Sequence, residues 1–235
     1  MAEPSRLLEI STPTGTARVH MFDVPRGVPR TTLVLGHGAG GGVEAWDLQL
    51  LASELPPIGI DVALVEQPWH VAGQKVAGSK AKLDSAFREV VSELRRSGEG
   101  LRRLVIGGRS AGARVACRVA ADVGAAEVLN LAFPMHRPGR SYPNRAAEVA
   151  TASQFCPVTI LQGERDSFGS PVEVSQAVAA EQGSALVVSV PWADHSFKLP
   201  KKAPLTRIEA GIVLVETARF ALLHRTGNEG LLMPR

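Results

Sequence analysis

Cysteine is scarce in this chain, and long apolar runs are missing. Only two of the 235 residues are cysteines, Cys117 and Cys156, so one disulfide is the maximum, and their spacing does not match a metal site. We expect two buried free thiols, which fits a reducing cytoplasm. No hydrophobic stretch is long enough to span a bilayer, and the first residues do not resemble a signal peptide. We therefore expect a cytoplasmic protein that enters no membrane and holds no metal ion.

An excess of charge of one sign is also missing. The formal net charge is +3 and the basic residues are scattered, so we expect no nucleic-acid partner. A length of 235 residues, with 45% hydrophobic and 21% charged residues, suits one α/β domain with a full core. We assign this domain to residues 1–225. The remaining residues, 226–235, have no helical pattern and are expected to form a flexible tail.

Short apolar runs alternate with segments of helical spacing along most of the chain. After a hairpin at residues 6–22, strands are predicted at 31–36, 61–66, 104–107, 127–133, 157–162 and 185–190. Helices are predicted at 44–55, 79–96, 111–123, 145–152, 172–182 and 207–224. This alternation indicates a mostly parallel sheet with helices on both faces.

A glycine-flanked serine is the most informative feature that is present. An apolar run leads into Gly108-Arg109-Ser110-Ala111-Gly112, which fits the Gly-x-Ser-x-Gly nucleophile elbow, and an alanine-rich helix follows. The two glycines let strand and helix approach each other, and Ser110 lies at a helix N-terminus that favours developing negative charge. The alternative is an ordinary turn with a capping serine, so residues elsewhere must decide.

A base and an acid follow in the order that this elbow requires. A serine hydroxyl is activated by a base, normally a histidine that a carboxylate orients. Asp166 and His195 each follow a predicted strand, so both should lie with Ser110 at the carboxyl edge of the sheet. Glu164 could be the acid instead, but it has less room to turn inward. Asp194 adjoins His195, and neighbouring residues rarely face each other well.

A glycine-rich loop provides the expected oxyanion hole. The strand at 31–36 runs into His37-Gly38-Ala39-Gly40-Gly41-Gly42, and the backbone N–H groups of Ala39 and Ala111 are the predicted donors, with Gly40 the next candidate. Gly38 and Gly40 should let the backbone approach the substrate. A phosphate-binding loop is disfavoured because neither its lysine nor a ribose-binding acid is present. His37 is predicted to anchor the loop.

The loops above the sheet are expected to wall a substrate pocket. The predicted substrate-binding side chains there are Trp69, Met135 and His136. Further aromatic and histidine candidates, each with an equally good packing role, are Trp46, His70, Trp192 and Phe197. Arg109 could bind an acidic substrate group, but a local ion pair is favoured. The connection from Pro134 to Phe155 is too short for a large cap, so we expect a small, accessible substrate.

These motifs resemble the α/β-hydrolase superfamily over nearly the whole chain. More narrowly, the chain resembles small, nearly lidless proteins of the dienelactone hydrolase-like branch, and especially the family related to testis-expressed protein 30 and the third subunit of the NSL histone acetyltransferase complex. The segments that carry this likeness are residues 37–40, 107–114, 133–139 and 162–169. The resemblance implies an α/β-hydrolase fold with little or no lid, a triad of Ser110, Asp166 and His195, and no cofactor.

The expected function is hydrolysis of a small ester or thioester through an acyl-enzyme. Dienelactone hydrolase uses a cysteine nucleophile where this chain has Ser110, which favours ester or thioester over lactone hydrolysis. Some relatives implied by the resemblance serve as complex subunits, so a binding or scaffold module is the alternative, although an intact triad argues against it. Peptidase or cofactor-free haloperoxidase chemistry is a third hypothesis. A homodimer is one expected assembly.

Overall fold

The computed structural model describes residues 2–27, 29, 31–97, 103–139 and 145–224. The strands in these residues are Arg6–Thr12 (β1), Gly15–Phe22 (β2), Thr31–Gly36 (β3), Ile60–Glu66 (β4), Leu104–Arg109 (β5), Glu127–Leu131 (β6), Val158–Gly163 (β7) and Leu186–Val190 (β8). The helices are Trp46–Glu54 (α1), Pro68–Val71 (α2), Lys80–Arg96 (α3), Ala111–Val119 (α4), Ala146–Ser153 (α5), Pro171–Ala180 (α6) and Arg207–His224 (α7). The predicted tail, 226–235, lies outside the described residues.

All of these strands join one sheet in the order β1-β2-β4-β3-β5-β6-β7-β8. The hairpin of β1 and β2 is antiparallel and pairs antiparallel with β4, whereas the strands from β3 to β8 are parallel. Parallel strands end at a common edge, and β5 lies near the middle of it, between β3 and β6. Whatever follows β5 is therefore flanked by the loops that follow its neighbours, which is where open α/β sheets bind ligands.

Helices cover both faces of the sheet, so two apolar cores form. Alternate residues of a strand point to opposite faces, and Val34 accordingly joins one core while Leu33 joins the other. The first core packs against α3, α4, α5 and α6, and the second against α1 and α7. Both faces of the central strands are buried, which explains their nearly continuous apolar sequences.

The predicted elements are present, with ends displaced by a few residues. The helix after Ser110 ends at Val119 rather than 123, and β6 ends at Leu131 rather than 133. Ala132 has a positive φ of 47°, which breaks the extended strand there. The short helix α2 and a 3-10 turn at Pro56–Ile58 were not predicted, because both begin at prolines that the sequence pattern treats as strand and helix ends.

Both cysteines are free and buried, as predicted. The Asn130 side-chain amide donates to the Cys117 Sγ over 3.1 Å. Burial raises the pKa of the Cys117 thiol to about 12 and that of Cys156 to about 11. Both thiols therefore stay protonated at neutral pH.

None of the helices in the described ranges combines the length and apolarity needed to cross a bilayer.

Candidate active site

Ser110 occupies a sharp turn between β5 and α4. Its backbone angles, φ 53° and ψ −107°, lie in a region that residues with a side chain rarely adopt. The Ser110 N–H donates to the carbonyl of Leu131 at the end of β6 over 3.0 Å, which ties the turn to the neighbouring strand. The Ser110 side chain makes no capping hydrogen bond to α4. The geometry thus contradicts the alternative of a capping serine.

Glycines make this turn possible by close contact, as the motif predicts. A Cβ atom built on Gly108 would lie 2.5 Å from the Gly36 carbonyl oxygen and 2.7 Å from the Gly112 carbonyl carbon. A Cβ on Gly112 would overlap that same Gly36 oxygen. The end of β3, the end of β5 and the first turn of α4 therefore meet without any side chain between them, which presents Ser110 above the carboxyl edge of the sheet.

The structure brings the three predicted triad residues together. Ser110 Oγ lies 3.0 Å from His195 Nε2, and His195 Nδ1 lies 2.7 Å from Asp166 Oδ2. Because Asp166 Oδ2 accepts a hydrogen bond from His195 Nδ1, the imidazole is the tautomer that carries its proton on Nδ1. Its Nε2 then has a free lone pair, which can accept the serine proton. The ring of Phe168 stacks on that of His195, with centroids 4.1 Å apart.

Asp166 is held by a buried glutamine that the sequence did not reveal. Gln162 is fully buried at the end of β7, and its amide nitrogen donates to Asp166 Oδ2 over 2.9 Å and to the Gly169 carbonyl over 2.7 Å. Its amide oxygen accepts from the Phe133 N–H over 2.8 Å. The other carboxylate oxygen, Asp166 Oδ1, accepts from the Phe168 N–H over 2.8 Å. These bonds fix the carboxylate that orients His195.

The two rival acids have other partners. Glu164 is exposed and accepts from the Trp192 N–H over 2.6 Å, which links the loops after β7 and β8. Asp194 Oδ1 accepts from the N–H groups of Ser196 and Lys198, at 2.8 and 2.9 Å. These bonds are internal to the loop after β8 that carries His195, which we call the histidine loop. Neither carboxylate contacts His195, and the preference for Asp166 agrees with this geometry.

A family model described as "alpha/beta hydrolase domain" matches residues 29–219, which is most of the chain. The chain belongs to this alpha/beta hydrolase family. The α/β-hydrolase fold that the motifs predicted is thereby confirmed. The matched residues begin just before β3 and end within α7, so they include Ser110, Asp166 and His195.

Solved structures show the same fold at low sequence identity. A Xanthomonas campestris α/β serine hydrolase without a lid is 21% identical, with a TM-score of 0.70 over 95% of this chain and 97% of that one. A Coxiella burnetii α/β serine hydrolase homologue is 20% identical, with a TM-score of 0.73 over 92% and 99%. Est1E of Butyrivibrio proteoclasticus is 14% identical, with a TM-score of 0.69 over 92% and 98%. No curated protein matches this hydrolase chain in sequence.

The predicted oxyanion loop follows β3 and passes beside the elbow. A Cβ atom built on Gly38 would lie 3.5 Å from the Ser110 Cβ and 3.1 Å from Arg109 Nη1, so Gly38 approaches both residues closely. Ala39 and Gly40 come next and are exposed, and a Cβ on Gly40 would meet open space. Ala111 is the first residue of α4. Both predicted oxyanion donors thus belong to segments that flank Ser110.

His37 anchors this loop, in agreement with the prediction. It is buried, its Nε2 accepts from the Gln67 N–H over 3.1 Å, and its Nδ1 lies 2.8 Å from the Gly38 carbonyl oxygen. The first contact requires a lone pair, so Nδ1 carries the proton and donates to Gly38. Burial lowers the pKa of His37, which keeps the ring neutral and both bonds intact at neutral pH.

Two of the predicted substrate-binding side chains lie elsewhere. Met135 is 1% exposed and packs in the first core, so the prediction that it walls the pocket is wrong. Trp69 is 9% exposed, contacts the ring of His37 and lines a cleft of about 350 Å³ beside α2 whose lining does not include Ser110 or His195. Both side chains pack against other residues of the protein. The sequence pattern alone does not distinguish an apolar residue that packs in this way from one that lines a substrate pocket.

The remaining residues predicted to wall the substrate pocket lie in the core, at the surface or beside the candidate site. His136 lies beside the loop after β7 that carries Asp166, which we call the acid loop, because its N–H donates to the Phe168 carbonyl over 3.1 Å. Phe197 is fully buried, and Trp192 is 37% exposed on the histidine loop. Trp46 lines a groove between α1 and α7, and His70 lies 2.8 Å from the Glu66 carboxylate. The backbone of His136 is thus hydrogen-bonded to the loop that carries Asp166, whereas His70 pairs with a residue of β4.

Arg109 forms the local ion pair that the sequence favoured. Its Nε lies 3.1 Å from Asp47 Oδ2 at the start of α1.

In the described residues, no group of three or more His, Cys, Asp or Glu side chains is arranged to bind a metal ion.

Proposed function

We propose that this alpha/beta hydrolase is a serine hydrolase that cleaves a small ester or thioester through an acyl-enzyme. One observation carries the proposal. A continuous chain of contacts runs from Asp166 through His195 to Ser110, at 2.7 and 3.0 Å, on a serine held in an elbow. This is the arrangement in which a neutral imidazole activates a hydroxyl for attack on a carbonyl.

In the proposed mechanism, His195 is first a base and then an acid. Its Nε2 takes the proton of Ser110 as Oγ attacks the carbonyl carbon, and the imidazolium is stabilised by the carboxylate of Asp166. The same proton then passes to the leaving oxygen or sulfur, and an ester bond to Ser110 remains. Water, deprotonated by His195, attacks this ester, and the proton returns to Ser110. No redox step or cofactor is needed.

The proposed oxyanion hole consists of the backbone N–H groups of Ala39 and Ala111. Ala111 is at the N-terminus of α4, where free N–H groups and the helix dipole favour negative charge. Ala39 follows Gly38, whose lack of a side chain lets the loop approach Ser110. Donors of this kind typically contribute about 3–4 kcal/mol each to the stability of the tetrahedral intermediate.

Several observations support a small acyl substrate. The connection between β6 and α5 leaves no room for a large cap, and the Xanthomonas neighbour is described as lacking a lid. Est1E has been solved with ferulic acid bound, although at 15% identity. The resemblance to the testis-expressed protein 30 branch and the cytoplasmic location belong to this proposal, and the buried free thiols fit the latter. The homodimer stays a prediction.

Labelling with a fluorophosphonate probe tests the proposal. Wild type should react covalently, and Ser110→Ala should not, although it should fold equally well. A panel of p-nitrophenyl esters and matching thioesters then sets the acyl length and the leaving group. Asp166→Asn should lower kcat by roughly 10⁴-fold if the acid acts as it does in serine proteases. Folded wild-type protein that neither reacts nor turns over an ester would contradict the proposal and favour the binding-module alternative.

A further inference from the structure

Arg109 contacts three segments that must stay in register around Ser110. It is the last residue of β5, directly before the nucleophile, and only 14% of its side chain is exposed. Its Nε faces Asp47 of α1, and its Nη2 donates to the backbone carbonyl of His195 over 3.0 Å and to Ser196 Oγ over 3.1 Å. Its Nη1 lies against Gly38. One guanidinium thus joins α1, the histidine loop and the oxyanion loop.

We propose that Arg109 is a positioning residue that holds the backbone of His195, and through it the imidazole, within hydrogen-bonding distance of Ser110. The inference rests on the proposed serine hydrolase function. The side chain of His195 is already held by Asp166 and Phe168, but those two residues belong to one loop, the loop after β7. Arg109 ties the backbone of His195 to the strand that leads into the nucleophile.

Asp47 orients the guanidinium. Its side chain is 2% exposed at the start of α1, and its Oδ2 lies 3.1 Å from Arg109 Nε without accepting a hydrogen bond from any described group, so the contact is an ion pair. Burial raises the pKa of this carboxyl, whereas the charge of Arg109 and the backbone N–H groups of Asp47 and Leu48 lower it, so the guanidinium favours the carboxylate form. A planar guanidinium held at Nε presents its remaining donors in a fixed direction, here toward the His195 carbonyl.

This ion pair accounts for the charge of Arg109 without a substrate. The sequence left open that Arg109 binds an acidic substrate group. Its Nε instead faces Asp47, and its Nη2 is shared by two acceptors of the histidine loop. A positioning role predicts a loss in kcat when Arg109 is changed, whereas a substrate-binding role predicts a rise in KM.

Two single variants and one double variant separate positioning from folding stability. Arg109→Met leaves the Asp47 carboxylate buried and unpaired, so both the urea midpoint and kcat should fall. Arg109→Met combined with Asp47→Asn removes both charges, so the urea midpoint should return toward that of wild type. The kcat of the double variant should stay about 10- to 100-fold low with KM unchanged within about twofold, because the His195 carbonyl has lost its donor.

Arg109→Lys is the second control. Lysine keeps a positive charge facing Asp47, but one ammonium on a flexible stem does not reproduce the fork that reaches both Asp47 and the histidine loop. This variant should fold like wild type and still have a kcat about tenfold or more below it, with the rate of fluorophosphonate labelling reduced in parallel.

The outcomes separate this inference from the proposed function. Wild type that is not labelled would contradict the function itself. If wild type is labelled and the double variant or Arg109→Lys recovers wild-type kcat, Arg109 is a purely structural residue and the inference is wrong. A rise in KM with unchanged kcat in both variants would likewise overturn it, in favour of substrate binding by Arg109.

Discussion

Replacement of Gln162 by leucine should damage both folding and catalysis. The side chains have similar volume, but leucine has no polar atom and Gln162 is fully buried. The substitution would leave the Phe133 N–H and the Gly169 carbonyl without their side-chain partner, and Asp166 Oδ2 would lose one donor. A buried polar group left unsatisfied costs about 1–3 kcal/mol.

Two such groups predict a loss of about 2–6 kcal/mol in the free energy of unfolding, since both backbone groups are buried beside the acid loop. That is a large part of the roughly 5–15 kcal/mol that stabilises a typical domain. The loss is measured by urea denaturation, with the dependence on urea concentration checked for a constant slope. Gln176→Leu, at an exposed position of α6, is the matched control and should change stability by less than about 0.5 kcal/mol.

The catalytic effect of Gln162→Leu follows from the acid rather than from the nucleophile. Asp166 keeps its contacts with His195 and with the Phe168 N–H, so the triad should persist but with a less restrained carboxylate. Turnover should fall under conditions where the variant is fully folded. An unfolding free energy within about 0.5 kcal/mol of wild type, together with unchanged kcat, would refute the role assigned to this glutamine.

Three further predictions concern the elbow and its surroundings. Ser110→Gly should be about 1 kcal/mol more stable than Ser110→Ala in urea, because glycine adopts the positive φ of 53° without strain, and equal stability would contradict a strained turn. Gly112→Ala should lower the unfolding free energy by about 3 kcal/mol or more, because its Cβ would overlap the Gly36 carbonyl, whereas Gly40→Ala, which meets open space, should be nearly neutral in the same assay. Burial lowers the pKa of His37 below 6.5 in the folded protein, so near that pH the unfolded chain binds more protons than the folded one. The free energy of unfolding should therefore fall as the pH drops below 6.5, and His37→Gln should flatten this decline between about pH 7.5 and 5.5.

The sheet and the candidate triad were predictable because each depends on local pattern and chain order. Short β-branched and aliphatic runs between helical segments specify a parallel sheet, and such a sheet places the residues after its strands at one edge. Ser110, Asp166 and His195 each follow a strand, so their proximity required only the strand order and not the details of packing. Their catalytic roles remain a prediction until the serine is tested.

Side-chain environment was less predictable. Met135 and Trp69 each follow a strand that ends at the edge of the sheet where the site lies, and an apolar side chain at such a position can equally pack inward, as both do here. Gln162 belongs to a strand whose other residues are mostly apolar, and no spacing rule identifies a polar residue that links two loops. The partners of Arg109 come from three segments, α1 and two loops, which only the tertiary structure brings together.

The deep burial of both thiols has a practical consequence for chemical biology. With pKa values of about 12 and about 11, Cys117 and Cys156 present almost no thiolate to solvent at neutral pH. An electrophilic inhibitor that modifies the folded chain therefore reports on the hydroxyl at Ser110 with little background from sulfur. A single cysteine engineered on the surface could carry a fluorophore or spin label in the presence of both native thiols, which makes motion of the loops around Ser110 directly observable.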